Sequence, residues 1–476
     1  MRYNDKIQKF LYYRSPYFIK NLVSTYYEWH KSYKKYGTHY QRHFDTLSKT
    51  QWMTTKELLD LQQTEVLKFI RYAYNHVPYY KKLFDSNGLS LSDINCLDDI
   101  QNIPVLTKEV FRQNSQEFLS NVFDTRDIYW DHTSGTTGKA LRIALSKECY
   151  QRDYAFYWVQ RSACGTDRKT SKVATFAGHP IAPIDRMKPP FWVYNYYEKQ
   201  LLFSSYHLSK NNLQYYAKEL GKFQPDLIHG YPSSIYLVAN YLLENKINNI
   251  RPKCIITASE TLFDHQKSVI HEAFDCMPLT HYGNAERAGD IDECPEGGKH
   301  IKYEHSYIEF LDEDNEPAKP GCEGRIVCTA FGNYAMPLIR YDLGDIAIPL
   351  YRDCNCGRGG YIVERIVGRV DDYIVTPDGR FVGRLGHLFK DSLNVEEAQL
   401  YQDTPEKLVI RIIKRPAYSE YDEKLILNEA RNRLGNIINI EFEYVSKIPR
   451  TSSGKQRFVV SKIDFGNLKM GIGNSS

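Results

Sequence analysis

Short apolar runs alternate with longer helical patterns between about residue 120 and residue 330, and this alternation strongly constrains the fold. The runs at 173–176, 227–228 and 255–256 are typical of buried strands, whereas 234–243 has the spacing of a helix. Strands that alternate with helices build layered α/β structures. The sequence therefore predicts an α/β domain in which mixed sheets are flanked by helices.

Both ends of the chain depart from that pattern. Thr54 and Glu57 form a capping-box pattern that starts a helix. Near the C-terminus, strands at 408–413 and 440–445 enclose a helix at 422–434. Because 476 residues exceed one ordinary core, we expect three parts: a helical N-terminal extension packed on the main domain (1–100), the core of the main domain (101–370) and a small, mobile α+β lid (371–476).

The overall charge gives no electrostatic argument for a nucleic-acid partner, because 62 basic residues face 58 acidic residues. We find neither a signal-peptide pattern nor a run near the roughly 18 apolar residues of a membrane span. Ten cysteines without an export signal predict reduced thiols in the cytoplasm. The 38 tyrosines, many beside Lys and Arg near the N-terminus, favour amphipathic rings on a helical surface; contacts to sugars, a membrane surface or another protein are the alternative.

The segment 133–139, with the sequence TSGTTGK, is the strongest local signal of chemistry. Small residues let the backbone approach an anion, their N–H and hydroxyl groups donate to phosphate oxygens, and Lys139 adds a positive charge. A Walker A loop is excluded, since only two residues separate Gly135 from Gly138 and Ala140 follows the lysine. The segment predicts a phosphate-binding loop, and a structural turn is the alternative.

This loop resembles the signature of the adenylate-forming superfamily, which includes acyl-CoA synthetases, peptide-synthetase adenylation domains and luciferases. Four more segments are similar to that superfamily's motifs and follow in its order: 281–286 (HYGNAE), 340–345 (RYDLGD), 368–372 (GRVDD) and 449–455 (PRTSSGK). The resemblance implies a large N-terminal α/β domain, a small mobile C-terminal domain, and ATP and Mg²⁺ as cofactors.

The same resemblance implies a role for each motif. Lys455, Glu286 and Thr137 would be catalytic, Glu286 would bind Mg²⁺, and Asp371 would be the hinge between the domains. Tyr282 would stack on adenine and Asp345 would bind both ribose hydroxyls. The residues implied to contact ATP or AMP are Ser134, Gly135, Thr136, Thr137, Gly138, Lys139, Ser259, Glu260, His281, Tyr282, Gly283, Asp345 and Arg369.

Three other segments, 73–80, 103–108 and 259–262, are similar to the phenylacetate–coenzyme A ligase-like branch, in particular to its CapK-like members from capsular-polysaccharide gene clusters. Two positions depart from the family pattern: Ala140 replaces a usual proline, and Leu343 replaces a common threonine. Leu343 lacks the threonine hydroxyl and therefore cannot make one contact that the resemblance implies.

Cys294, His300, Cys354 and Cys356 offer the ligand types that tetrahedral zinc prefers. Their spacing is not that of a standard zinc finger, and buried free cysteines are the competing interpretation. Some members of the resembled branch have a similar arrangement, which favours Zn²⁺. The ion would be structural, because four protein ligands leave no open position.

Two more segments follow apolar strands and are candidates for the carboxylate pocket, since ligands of open α/β sheets bind at strand ends. A loop histidine with locally satisfied hydrogen bonds is the alternative. The candidate pocket residues are Gly178, His179, His229, Gly230 and Tyr231.

Taken together, these features predict an ATP-dependent ligase that forms an acyl-adenylate and transfers the acyl group to a thiol, such as CoA, or to an amine, with release of pyrophosphate and AMP. We expect it to act in capsular or other surface polysaccharide or cell-envelope assembly, where a sugar intermediate is a candidate acceptor and peripheral association with membrane-bound machinery is expected. The alternatives are a phenylacetate-type aryl acyl-CoA ligase and a non-catalytic scaffold that retains the fold; the presence of every charged catalytic position argues against the scaffold.

Overall fold

The structure is a computed structural model. It describes residues 12–132, 141–178, 181–183, 186–209, 211–367, 374–382, 385–389, 394–449 and 458–463. Among these residues, every helix is too short or too polar to cross a lipid bilayer.

Helices dominate the N-terminal part of the described chain and strands dominate the rest. The helices are α1 (Tyr17–Lys35), α2 (Thr38–Thr50), α3 (Thr55–His76), α4 (Pro78–Asn87), α5 (Lys108–Gln113), α6 (Lys147–Ser162), α7 (Leu213–Phe223), α8 (Pro232–Glu244), α9 (Asp264–Phe274) and α10 (Glu420–Leu434).

The strands are β1 (Ile128–His132), β2 (Arg142–Ser146), β3 (Val173–Ala177), β4 (Trp192–Asn195), β5 (Gln200–Ser204), β6 (Leu227–Gly230), β7 (Cys254–Ala258), β8 (Pro278–Gly283), β9 (Asp290–Glu293), β10 (Lys299–Ile301), β11 (Tyr307–Leu311), β12 (Gly324–Ala330), β13 (Leu338–Pro349), β14 (Ile362–Ile366), β15 (Ile374–Val375), β16 (Phe381–Val382), β17 (Val395–Thr404), β18 (Lys407–Lys414), β19 (Asn439–Tyr444) and β20 (Val459–Ser461).

A twelve-stranded sheet organises most of the chain, in the order β11-β12-β13-β14-β10-β9-β8-β7-β6-β3-β5-β4. Strands β5, β3, β6, β7 and β8 are parallel neighbours, whereas the strands from β8 to β11 pair antiparallel. The apolar runs at 173–176, 227–228 and 255–256 form β3, β6 and β7, and the helical pattern at 234–243 lies within α8. The mixed α/β architecture predicted from the sequence is confirmed.

The helix predicted from the capping box begins at its cap. The Thr54 hydroxyl accepts a hydrogen bond from the Glu57 N–H, and the Glu57 carboxylate accepts one from the Thr54 N–H, so that two of the four orphan N–H donors at this helix end are satisfied. One face of α3 then buries Val66, Phe69 and Ile70 in the largest hydrophobic core. Burial of that stripe against the sheet stabilises the helix far more than its intrinsic propensity does.

A separate four-stranded sheet, in the order β19-β18-β17-β20, lies near the C-terminus. Helix α10 connects β18 to β19, which pair in parallel, as expected for a βαβ crossover. The strands and the helix predicted at 408–413, 440–445 and 422–434 are present as β18, β19 and α10. Their apolar side chains form a hydrophobic core distinct from that of the large sheet.

Strand β13 is fixed in place by a buried arginine. The Arg340 guanidinium donates to both carboxylate oxygens of Glu309, at 2.8 and 3.0 Å, and to the carbonyls of Gln101 and Ile103, at 2.8 and 2.7 Å. The two charged side chains are only 4% and 9% exposed. This bidentate pair links β13, β11 and the segment before α5.

Replacing Arg340 with leucine should destabilise the protein by about 3–5 kcal/mol, because the buried Glu309 carboxylate would lose its partner. The measurement is the free energy of unfolding in urea. Arg126→Leu is the matched control: Arg126 also pairs with a carboxylate, that of Asp124, but its side chain is 87% exposed, so its loss should barely change stability. Equal effects of the two substitutions would contradict the structural role assigned to Arg340.

Candidate active site

Four of the predicted site segments lie together at the carboxyl ends of neighbouring strands in the large sheet. Gly178 follows β3, Gly230 ends β6, Ser259 follows β7, and Tyr282 lies near the end of β8. These strands are parallel and adjacent, so their carboxyl ends lie side by side. Open α/β sheets bind ligands at the carboxyl ends of their strands.

Two of the sequence motifs are joined directly by hydrogen bonds. The Tyr282 hydroxyl donates to Asp345 Oδ2 at 2.8 Å, and the Tyr341 hydroxyl donates to Glu286 Oε1 at 3.2 Å. The structure therefore brings together the predicted adenine, ribose and magnesium residues, although they come from segments more than fifty positions apart. Tyr341 was not among the predicted site residues.

A third segment, 103–108, packs beside these motifs. The Leu106 N–H donates to the Arg340 carbonyl at 2.8 Å, and the Asp342 N–H donates to the Leu106 carbonyl at 2.9 Å. This pairing places Lys108 Nζ 3.4 Å from Glu286 Oε1. Glu286 is 5% exposed, so its carboxylate is charge-balanced by a lysine in a largely water-excluded position. Sequence reasoning placed Lys108 in a family segment but gave it no role.

A buried charge network lies behind the aromatic motif. His281 Nδ1 lies 2.7 Å from Asp292 Oδ1, and Lys302 Nζ lies 3.2 Å from Asp292 Oδ2. Burial and the neighbouring Asp292 raise the pKa of Asp290. Although burial opposes it, Asp290 and Asp292 raise the pKa of His281. The network holds the His281 ring in place and so fixes β8 immediately before Tyr282. Asp290 and Asp292 alternate along β9 and share a face of the sheet, a signal that was present in the sequence.

Ser259 and Glu260 turn the chain away from β7. Ser259 adopts a left-handed conformation with φ 73°. The Glu260 carboxylate accepts hydrogen bonds from the Ser233 hydroxyl at 2.8 Å and the Ser233 N–H at 3.3 Å. A carboxylate at the start of α8 interacts favourably with the helix dipole. The Glu260 side chain thus ties the end of β7 to the start of α8.

The candidate carboxylate pocket is built around two glycines. A Cβ atom on Gly178 would lie 2.9 Å from the Tyr206 hydroxyl and 3.2 Å from the Tyr231 hydroxyl. Gly230 has φ 154°, and a Cβ there would lie 2.1 Å from the Phe176 carbonyl oxygen, so only glycine fits. His229 instead packs edge-on against Tyr157 of α6. The structure therefore brings Gly178 and Tyr231 together and places the His229 ring against a helix.

Tyr206 connects this pocket to the C-terminal part of the chain. Its hydroxyl donates to the Gly178 carbonyl at 3.2 Å and accepts a hydrogen bond from Arg433 of α10 at 3.1 Å. Its carbonyl accepts a hydrogen bond from Arg380 at 2.7 Å. Sequence reasoning did not identify Tyr206, because its contacts lie 28, 174 and 227 positions away along the chain.

The four predicted zinc ligands converge. Their ligand atoms all lie within 4.8 Å of one another; Cys294 Sγ and Cys354 Sγ are 3.8 Å apart, and Cys356 Sγ lies 3.3 Å from His300 Nε2. A tetrahedral site with Zn–S bonds of about 2.3 Å separates its sulfur atoms by about 3.8 Å. Gly298 makes room for the cluster, since a Cβ there would lie 2.4 Å from Cys354 Sγ. The donor set and its spacing fit a structural Zn²⁺ ion.

Several predicted site residues lie outside the described part of the chain. They comprise the whole phosphate loop, one pocket histidine, the motif arginine, the hinge and the catalytic lysine: Ser134, Gly135, Thr136, Thr137, Gly138, Lys139, His179, Arg369, Asp371 and Lys455.

Several known proteins are similar to this chain in sequence. The family model described as the CapK C-terminal domain matches residues 374–462. Protein CapK of Staphylococcus aureus is 27% identical over 95% of this chain and 99% of its own length. Phenylacetate-coenzyme A ligase of Thermus thermophilus is 24% identical over 71% of this chain and 74% of its own length.

Solved structures share the fold. A crystal structure of 2-hydroxyisobutyryl-CoA ligase, in complex with 2-HIB-AMP and CoA, matches 90% of this chain and 94% of its own with a TM-score of 0.58 at 18% identity. The same ligase in its postadenylation state gives a TM-score of 0.56. The C-terminal family match, the curated relatives and the shared fold make this chain similar to CapK and to the phenylacetate–coenzyme A ligases of the adenylate-forming superfamily.

Proposed function

We propose that this protein is an ATP-dependent ligase that activates a carboxylic acid as an acyl-adenylate and transfers the acyl group to an acceptor thiol or amine. The observation that carries the proposal is the convergence of Tyr282, Glu286 and Asp345 at the carboxyl edge of the parallel strands. Four relatives of this chain are phenylacetate-coenzyme A ligases, which supports the thiol of CoA as the acceptor. The likeness to CapK supports a role in capsular polysaccharide assembly.

The described residues suit the nucleotide half of such a site. Asp345 presents a carboxylate that accepts hydrogen bonds from two ribose hydroxyls, and its present partner, the Tyr282 hydroxyl, lies 2.8 Å away. Binding of a nucleoside would place the Tyr282 ring beside the base, since the ring is tethered next to the ribose acceptor. The His281 network behind it keeps the aromatic residue preorganised, which lowers the entropic cost of binding.

Joining a carboxylate to the α-phosphate brings two anions together, so cationic groups must balance the charge of the transition state. Glu286 is a hard oxygen ligand suited to Mg²⁺, which when bound would neutralise phosphate charge. Lys108, 3.4 Å from Glu286, then competes for the same carboxylate. In this proposal Lys108 turns from Glu286 towards phosphate oxygens when the nucleotide arrives. Lys455 supplies a second cation from the C-terminal lid.

The acid would enter beside Gly178 and Tyr231, where two hydroxyls approach a position without a side chain. The Tyr231 and Tyr206 hydroxyls can donate to a carboxylate there. We further propose that the C-terminal part of the chain moves as a lid about Asp371. Closure would deliver Lys455 for adenylation, and reopening would admit the acceptor.

The first test is ATP–pyrophosphate exchange over aryl, amino and sugar acids, with and without CoA or amine acceptors. Exchange should appear with at least one acid and fall by about 100-fold or more in Lys455→Ala and in Glu286→Gln, because each removes charge stabilisation of the transition state. Lys447→Ala is the control, since Lys447 is exposed in the segment that leads to the motif and should retain full exchange. Exchange that survives both site substitutions would refute the site assignment.

Lys108→Met tests the competition for Glu286. Removing the lysine charge should lower the Mg²⁺ concentration that gives half-maximal exchange by about threefold or more, because the carboxylate no longer has a competing cation at 3.4 Å. The matched control is Lys82→Met, whose lysine pairs with Glu117 at 2.8 Å on the surface and should leave the magnesium dependence unchanged. If Lys108→Met needed more Mg²⁺ for half-maximal exchange than the wild type, Lys108 and Mg²⁺ would not compete for Glu286.

The zinc proposal is tested by metal analysis of the purified protein. We expect about one Zn²⁺ per chain, and loss of the metal together with a lower melting temperature in the double substitution Cys354→Ser and Cys356→Ser, since metal binding contributes directly to folding free energy. Cys322→Ser is the control, because Cys322 is an exposed cysteine outside the cluster. Wild-type protein that contains no zinc and is insensitive to chelators would overturn a structural metal.

A further inference from the structure

Helix α1 is amphipathic, but its polar face is buried and its apolar face is exposed. Its buried side chains are polar: Lys20, Asn21, Ser24 and Ser32. Its outward face carries Phe18, Leu22, Tyr26, Trp29 and Tyr33, which are between 41% and 65% exposed. A surface helix of a water-soluble protein normally buries its apolar stripe and exposes its polar residues.

The sheet edge explains this reversal. Strand β4 is the last strand of the twelve-stranded sheet, so its outer N–H groups need partners. The Asn21 side-chain oxygen accepts from the Tyr194 N–H at 2.9 Å, and the Thr25 hydroxyl accepts from the Tyr196 N–H at 3.0 Å. The polar face of α1 is therefore required against the sheet edge, and the apolar face is turned outward.

The outward face forms a continuous aromatic surface. The Trp29 ring contacts the Tyr26 ring at 5.8 Å and the Tyr33 ring at 5.4 Å between centroids. Two further exposed aromatic residues, Tyr196 and Tyr197 (59% and 45% exposed), lie in the turn after β4, where the Tyr196 N–H bonds to Thr25 of α1. Tyrosine and tryptophan combine an apolar body with a polar tip, which suits them to the boundary between lipid tails and headgroups.

The positive charge of this region favours an anionic partner. Residues 12–50 contain seven Lys and Arg residues against two Asp and Glu residues, which leaves 55 basic and 56 acidic residues in the rest of the chain. The excess positive charge thus lies in the segment that forms α1 and α2, where Lys34 and Lys49 are exposed, whereas Lys20 is buried and Lys35 pairs with Glu28. A second copy of the chain would bring two positive surfaces together, whereas an anionic bilayer is complementary. We propose that α1 docks on the surface of a membrane rich in anionic phospholipid, with its aromatic face in the headgroup region.

The test is cosedimentation of the full chain with phosphatidylglycerol–phosphatidylcholine vesicles and with pure phosphatidylcholine vesicles. Binding should be specific to the anionic vesicles and weaken as salt is raised, because exposed charges are screened. The double substitution Tyr26→Gln and Trp29→Gln should weaken binding by about tenfold or more, since it removes apolar area that would enter the interface.

The matched control is Trp52→Gln with Tyr421→Gln, two aromatic residues 54% and 69% exposed elsewhere on the molecule, which should bind vesicles like the wild type. Melting temperature checks that both double variants fold. Failure of the wild type to bind anionic vesicles, or equal binding by the α1 variant, would overturn the proposal. A dimer in solution that the α1 variant abolishes, without vesicle binding, would assign the face to a second copy instead.

Discussion

The buried ion pair between Arg340 and Glu309 is the constraint on which the candidate site depends. Arg340 occupies a left-handed backbone position with φ 47°, a conformation that costs free energy for a residue with a side chain. Four hydrogen bonds from its guanidinium offset that cost. Because the bonds reach β11 and the segment before α5, they fix β13 in register with β11 and with the segment that leads to Lys108.

Lys108, Tyr341 and Asp345 take their positions from that anchoring. The backbone pairing of Leu106 with Arg340 and Asp342 adds a short parallel bridge to β13. Tyr341 and Asp345 then reach across to Glu286 and Tyr282. Charge is balanced at each step, with Arg340 opposite Glu309 and Lys108 opposite Glu286. A buried carboxylate that loses its partner is costly, so this chain of pairs compensates for the burial of the acidic side chains.

The sequence predicted features that depend on local order and failed on those that depend on long-range pairing. The α3 cap, the α10 helix and the strands beside it follow from neighbouring residues, so pattern and capping chemistry suffice. The contact between Tyr341 and Glu286 and the His281 network require the strand order of the sheet, which no local pattern encodes. The cysteine cluster was predictable in part. The sequence shows the ligand types, but Cys294 and Cys354 meet only because β10 pairs with both β9 and β14. An amphipathicity argument would orient helix α1 wrongly, because its polar face, and not its apolar face, packs against the edge strand β4.

Tyr206 links the acid end of the site to the proposed domain movement. Its hydroxyl touches the carbonyl of Gly178 and is also held by Arg433, while Arg380 holds its carbonyl. Rotation of the C-terminal part about Asp371 would break the two arginine contacts and free the hydroxyl to reorient beside the pocket. An acid that accepts a hydrogen bond from Tyr206 would replace the Gly178 carbonyl as its acceptor, and it would favour rotation because the hydroxyl must leave Arg433 to reorient towards the acid. In this way one tyrosine would make lid movement sensitive to the presence of the acid, because ligand binding shifts a conformational equilibrium only through contacts that differ between its states.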